Sequence, residues 1–168
     1  MSTGGALRDA MSRFPTGVSI VTTRDSSGVL HGTTANALTS VSLDPPLILV
    51  CLAHTSRTLA ALRTSGAFGV NLLAAGTEHV ARGFARSGAS EAWEGVEHVS
   101  GPHGSPLFAG AHAAIECEVG DVHTAGDHDI VLGRVVHVVI EEDAGDALLW
   151  FRSAFGSAGD PRVPTPSH

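Results

Sequence analysis

The stretch Gly32 to Thr58, GTTANALTSVSLDPPLILVCLAHTSRT, constrains this chain more than any other part of it. It opens with a strand-length run of small polar residues: Thr33, Thr34, Asn36, Thr39, Ser40 and Ser42. Asp44-Pro45-Pro46 then makes a rigid turn, because each proline fixes φ and has no N–H to donate. Leu47 to Leu52 reads as a buried strand, and His54-Thr55-Ser56-Arg57-Thr58 opens a helix. A core strand has no use for so many hydroxyls and amides; a surface laid against a flat polar ligand does. The helix start adds free N–H groups, hydroxyls and an arginine, a set that suits a phosphate.

At 168 residues, one domain running over 1–168 is expected, large enough to bury a core without disulfides or metals. The formal charge is −7 and the pI about 5.7, so nothing attracts a nucleic-acid backbone or an anionic membrane, and neither partner is expected. All ten basic residues are arginines. The absence of lysine excludes lysine Schiff-base chemistry and the P-loop lysine, and the absence of tyrosine removes a phenolic acid or base. Cys51 and Cys117 sit singly in apolar runs, which predicts buried free thiols in a reducing compartment. Met1 to Thr23 lacks a charged segment followed by an unbroken apolar one, and no run approaches the ~20 apolar residues of a membrane helix. The expected location is the cytoplasm, with no signal peptide.

Periodicity predicts a helix over Ala6–Phe14, ended by Pro15, and a strand over Val18–Thr23 that turns at Asp25–Gly28 into Val29–Asn36. Ser56 or Thr55 caps a short helix that Gly66 closes. A strand over Phe68–Leu73 and a helix over Thr77–Ala85, with Val80 and Phe84 inward, follow. Arg86 to Gly110 reads as a long ordered excursion anchored by Trp93 and Phe108. Ala113–Val122 and Ile130–Glu142 form a hairpin around Thr124–Asp127, and Leu148–Phe151 is the last strand. The tail from about residue 156 to 168 is expected to be loose or to wrap a partner. Many short strands with few helices predict a mainly β fold, a barrel with accessory helices.

Five pieces of the chain, in order over about residues 10 to 156, resemble the small flavin reductases that serve two-component monooxygenases. They are Phe14-Pro15-Thr16-Gly17-Val18 with Val21-Thr22-Thr23; Thr39 to Pro46; Ser56-Arg57-Thr58; Ser65-Gly66-Ala67-Phe68 with Val70-Asn71-Leu72-Leu73; and Gly126-Asp127-His128 with Leu132-Gly133-Arg134-Val135. The resemblance implies an FMN-binding split β-barrel of Greek-key type, FMN or FAD as flavin, NADH or NADPH as reductant, and a homodimer.

Starting at Gly32, residues Thr33, Thr34, Asn36 and Ala37 are candidates to face the flavin ring, whose polar edge needs coplanar donors and acceptors. From the residues alone, a solvent-facing polar strand explains them equally well. Ser56, Arg57 and Thr58 are the phosphate candidates. A plain N-cap with a surface arginine is the alternative, although an arginine in the first turn opposes the helix dipole unless an anion lies near. The resemblance implies that the backbone of Cys51, Leu52 and Ala53 reaches the flavin, with Cys51 itself a core residue. Relatives carry two arginines where this chain has Arg82-Gly83, so Arg82 or Arg86 is left to supply that contact. In Gly126-Asp127-His128 the glycine permits a tight bend and the imidazole can stack on or bond to a nicotinamide. The resemblance makes Asp127 and His128 nicotinamide-side residues. A hairpin cap is the alternative, and the spacing of His123, Asp127, His128 and Asp129 matches no zinc pattern, so no metal is expected. Arg152 and Phe155 fit the family's C-terminal pattern on the nicotinamide side, while Ser153 and Ala154 depart from it; a barrel plug is the alternative for Phe155.

No nucleophile–base pair is apparent, and hydride transfer between cofactors needs none. The expected activity is reduction of FMN or FAD by NADH or NADPH, with reduced flavin passing to a separate flavin-dependent monooxygenase. The alternatives are a split-barrel FMN oxidase and a non-catalytic flavin- or haem-binding module.

Overall fold

A computed structural model of the chain describes residues 2–86 and 90–159. Helix α1 (Thr3–Ser12) begins a turn before the apolar spacing predicts, because Ser2 caps it: its Oγ accepts the Gly5 N–H at 3.2 Å. Strands β1 (Thr16–Gly17), β2 (Ser19–Arg24) and β3 (Leu30–Ala35) follow, with Asp25 Oδ1 accepting the N–H groups of Ser27 and Val29 in the turn between β2 and β3. Strands β4 (Leu38–Leu43) and β5 (Pro46–Ala53) form a hairpin about the Asp44-Pro45 corner, in register from Leu43 opposite Pro46. Helix α2 (Arg57–Ser65) is capped by Ser56 and closed by Gly66 at φ 75°, a conformation glycine adopts without strain. Next come β6 (Ala67–Leu72), α3 (Glu78–Phe84) and a 3-10 turn over Ser90–Trp93. Strands β7 (His98–Ser100), β8 (Pro106–Phe108), β9 (Ala113–Ala125), β10 (His128–Ile140), β11 (Ala147–Phe151) and β12 (Ala154–Ala158) complete the chain.

Seven strands make one antiparallel sheet in the order β3-β2-β6-β9-β10-β5-β4. Strands β3 and β4 are consecutive in the chain yet stand at opposite edges, and Asn36-Ala37 carries the chain across. The Cys51 N–H donates to the Ala37 carbonyl at 3.0 Å and ties that crossing to β5. The sheet curls around one core, where Val21, Val50, Val70, Cys117 and Val131 from five strands meet Leu59 and Leu62 of α2. This is a split β-barrel with a helix in one end. A second core under α3 joins Ile20, Leu73, Phe84, Phe108 and Leu148. Among the described residues no helix is long and apolar enough to cross a membrane.

The excursion after Arg86 is ordered where it is described, and buried polar groups hold it. Glu116, fully buried on β9, accepts the N–H groups of His103 at 3.0 Å and Ser105 at 2.9 Å. Fully buried Asn71 accepts the Phe108 N–H at 2.7 Å. Residues 87–89 of that excursion lie outside the described residues.

Three expectations need correction. The tail does not loosen at residue 156: β12 pairs with β11 from Phe151 opposite Ala154 to Ala147 opposite Ala158, and residues 160–168 lie outside the described residues. The β9–β10 turn is not four residues long, because Ala125 pairs with His128 and only Gly126-Asp127 bridges them. Cys117 is buried, but Cys51 is only partly so.

Candidate functional site

The barrel opens beside the β3 edge into a cavity of about 470 Å³. One wall is β3, an edge strand whose alternate N–H and C=O groups have no neighbouring strand to meet. The other walls are the end of β5, the first turn of α2, and Phe84 with Trp93. The β-strand alternation divides the labour on β3. Thr34 faces α3, its Oγ1 donating to the Ala81 carbonyl at 2.6 Å. Gly32 faces the same way, and a Cβ there would lie 2.5 Å from the Phe84 ring and 3.3 Å from Trp93. Aromatic packing alone therefore accounts for the glycine. His31 and Thr33 point the opposite way and also line the cavity.

Most residues singled out in the sequence converge here. Gly32, Thr33, Thr34, Asn36 and Ala37 from the β3 side face Cys51, Leu52 and Ala53 across the gap. Ser56, Arg57 and Thr58 close one end, and His128 stands on the rim. Ser56 Oγ accepts the Leu59 N–H at 3.3 Å, which leaves the N–H groups of Arg57 and Thr58 without partners inside the helix. Among the described residues no carboxylate pairs with Arg57.

Four residues are placed elsewhere. The Arg82 guanidinium lies over the Phe155 ring, 4.8 Å from its centroid, and Phe155 packs edge-on against Trp150 at 4.9 Å, so both belong to the second core's margin. Arg152 covers Phe151 and donates its backbone N–H to Ser12. Asp127 is outside the cavity with its side chain 95% exposed, and it bonds to His128. Arg86, the other candidate for the absent arginine, does line the cavity.

His128 Nδ1 lies 2.7 Å from Asp127 Oδ1. That bond is the main cause holding the Asp127 carboxyl below the usual range, so the carboxylate accepts from Nδ1–H and Nε2 is left for a second partner. His31 makes a similar pair with Asp25 at 2.9 Å; bonds from the Ser27 side chain first, then from His31, hold the Asp25 carboxyl far below its usual range. Sequence reading passed over His31, Phe84 and Trp93 as cavity walls. The signal for His31 was its two-residue spacing from Thr33 on one strand. Trp93 gave none, since it reaches the site from a separate segment.

The residues present fit a flavin. The cavity volume is within the ~300–1,000 Å³ typical of small-molecule sites. A strand edge offers coplanar donors and acceptors, Phe84 and Trp93 offer apolar surface, one end carries a helix N-terminus with Arg57, and Arg86 also lines the cavity.

Residues 11–159 match the family described as the flavin reductase like domain. The chain belongs to this family. A probable flavin reductase of Rhizobium meliloti (strain 1021) is 45% identical over 117 residues, covering 70% of this chain and 37% of the relative. The flavin reductase component of a bacterial two-component tryptophan halogenase superposes with TM-score 0.84 at 38% identity, covering 94% of this chain and 99% of that one. The NADH:FAD oxidoreductase of Streptomyces globisporus C-1027, in complex with NAD and FAD fragments, superposes with TM-score 0.86 at 35% identity, covering 96% of each chain. Against the first curated relatives, this member of the flavin reductase like family spans 37%, 64% and 50% of their own lengths.

Proposed function

We propose that this chain is an NAD(P)H:flavin oxidoreductase that reduces FMN or FAD and supplies reduced flavin to a separate flavin-dependent monooxygenase. The observation that carries the reading is one cavity with an open strand edge, an arginine-bearing helix start at one end and a carboxylate-paired histidine on its rim. Hydride transfer from a reduced nicotinamide to the flavin is chemistry that the two bound molecules supply.

The chain's own residues bind and orient. The edge of β3 and the Asn36-Ala37 crossing meet the polar edge of the flavin ring. Arg57, with the N–H groups that begin α2, holds the phosphate, and Arg86 adds a second cation. Phe84 and Trp93 present apolar surface that keeps water from the ring. His128 meets the nicotinamide through Nε2 while Asp127 fixes its tautomer.

The reading includes a homodimer. Its support is a contiguous apolar surface: Met11 (54% exposed), Phe14 (62%) and Leu38 line a hollow of about 600 Å³ that shares Asn36, Ala37 and Cys51 with the flavin cavity. A second copy seated there would stand against the same crossing that faces the ring.

The test is reduced-nicotinamide consumption by purified protein with added FMN, then FAD. Turnover that saturates in flavin supports the reading. No turnover with NADH or NADPH and either flavin overturns it.

A further inference from the structure

Asp129 follows His128 in the chain, and its side chain is fully buried, a rare place for a carboxylate. Three side chains from three different segments bond to it. His54 Nε2, in the loop after β5, lies 3.0 Å from Oδ1. Thr124 Oγ1, on β9, donates to the same oxygen at 3.0 Å. The Arg63 guanidinium, in the last turn of α2, donates to Oδ2. The His54 backbone N–H also donates to the Asp127 carbonyl at 3.0 Å. Burial pushes the Asp129 carboxyl up, but the bonds from His54 and Thr124 and the charge of Arg63 outweigh it and hold the carboxyl below the usual range.

This arrangement answers a mechanical problem. The β9–β10 hairpin end projects past a register shift between Val131 and Gly133. Along β10 the side chains of Asp129, Val131 and Cα of Gly133 take the buried face, so His128 falls on the other one, at the cavity rim. A slip of one residue would exchange the two faces and remove His128 from the rim. Val131 is fixed by the barrel core. Beyond it, Asp129 is the buried group that ties the hairpin end to α2 and to the loop after β5.

We propose that Asp129, held by His54, Arg63 and Thr124, is a positioning residue that aims His128 at the nicotinamide. It touches neither cofactor and acts through its neighbour. The inference rests on the reading of His128 as the nicotinamide-side residue.

The experiment is a double-mutant cycle between His128→Ala and Asp129→Asn, read by KM for NADH, kcat and flavin Kd. Misplacing a group by about 1 Å can cost on the order of 100-fold, so Asp129→Asn is expected to raise KM for NADH roughly 10- to 100-fold. Flavin Kd should stay within about twofold, and the loss should vanish in the His128→Ala background, because the two residues act as a unit. An unchanged KM, or a loss that adds in full to that of His128→Ala, overturns the proposal. If Asp129→Asn does not fold, Arg63→Gln and Thr124→Val each remove one bond and are judged by the same criteria. If the wild type shows no turnover, the functional reading fails separately. The NMR signal of the His128 ring then decides: a shift in Asp129→Asn supports the positioning role, and an unchanged signal overturns it.

Discussion

In the proposed flavin site, Arg57 is the phosphate-binding residue. It stands in the first turn of α2, where the helix dipole disfavours a cation and no carboxylate among the described residues offsets it. A charge-assisted bond to phosphate is worth about 1.5–3 kcal/mol, so Arg57→Ala should weaken FMN roughly 10- to 100-fold. Riboflavin, which lacks the phosphate, should be unaffected; equal losses for both by fluorescence titration would contradict a phosphate role. The two thiols make a second contrast. Burial, then the neighbouring Glu116 charge, pushes Cys117 up to about 12, whereas Cys51 is half-buried on the cavity wall. A thiol reagent at neutral pH should label Cys51 alone, with saturating flavin slowing the reaction; labelling of Cys117 in the native state would contradict the core. Gly32→Ala should destabilise by about 1–3 kcal/mol in chemical denaturation, since its Cβ would meet the Phe84 ring at 2.5 Å. Loss of flavin affinity with unchanged stability would instead place the demand for glycine in the ligand.

At the scale of elements, two hairpins set the pH response: Asp25 lies in the β2–β3 turn, and Asp127 and Asp129 at the β9–β10 end. Asp25, Asp127 and Asp129 are all held below the ordinary carboxylate range in the folded state. A lowered folded pKa contributes stability that is present above the unfolded value and lost as pH falls. Thermal unfolding should therefore give a Tm that is flat from neutral pH down to about 5 and declines below about 4. A Tm that rises on acidification would contradict those three assignments. This scale also shows what the sequence could and could not disclose. The strands over Val18–Thr23, Leu47–Leu52 and Phe68–Leu73, the Ser56 cap and the Gly66 stop are local chemistry and were legible. The polar run from Thr33 to Ser42 is instead divided between β3 and β4 at opposite sheet edges, and the convergence of β3, β5 and the α2 start was legible only through the family resemblance. The length of the β9–β10 turn was not: Gly126 permits a tight turn, but pairing across it depends on the bulges further along. Strand β12 was missed because Ala154 to Ala158 is weak in β-formers and exists by pairing with β11. Arg82 and Phe155, read toward the cofactors, pack on each other, a contact between distant segments that no local pattern encodes.

For the whole molecule, the β3 edge, the end of β5 and the start of α2 leave a slot, and the features that suit it to a flavin lie on different elements around it. The apolar surface beside the slot adds a prediction about assembly. Phe14→Glu, on a side chain 62% exposed, should weaken self-association in sedimentation while leaving the barrel core intact; an unaltered sedimentation profile would place any dimer contact elsewhere. The central claim is that one slot binds flavin by Arg57 and nicotinamide by His128. It is tested most directly by steady-state oxidation of NADH in wild type, Arg57→Ala and His128→Ala, with KM measured separately for flavin and for NADH. The structure predicts turnover in wild type, a raised flavin KM in the first variant and a raised NADH KM in the second. Turnover that neither substitution alters, or no turnover in the wild type, would contradict it.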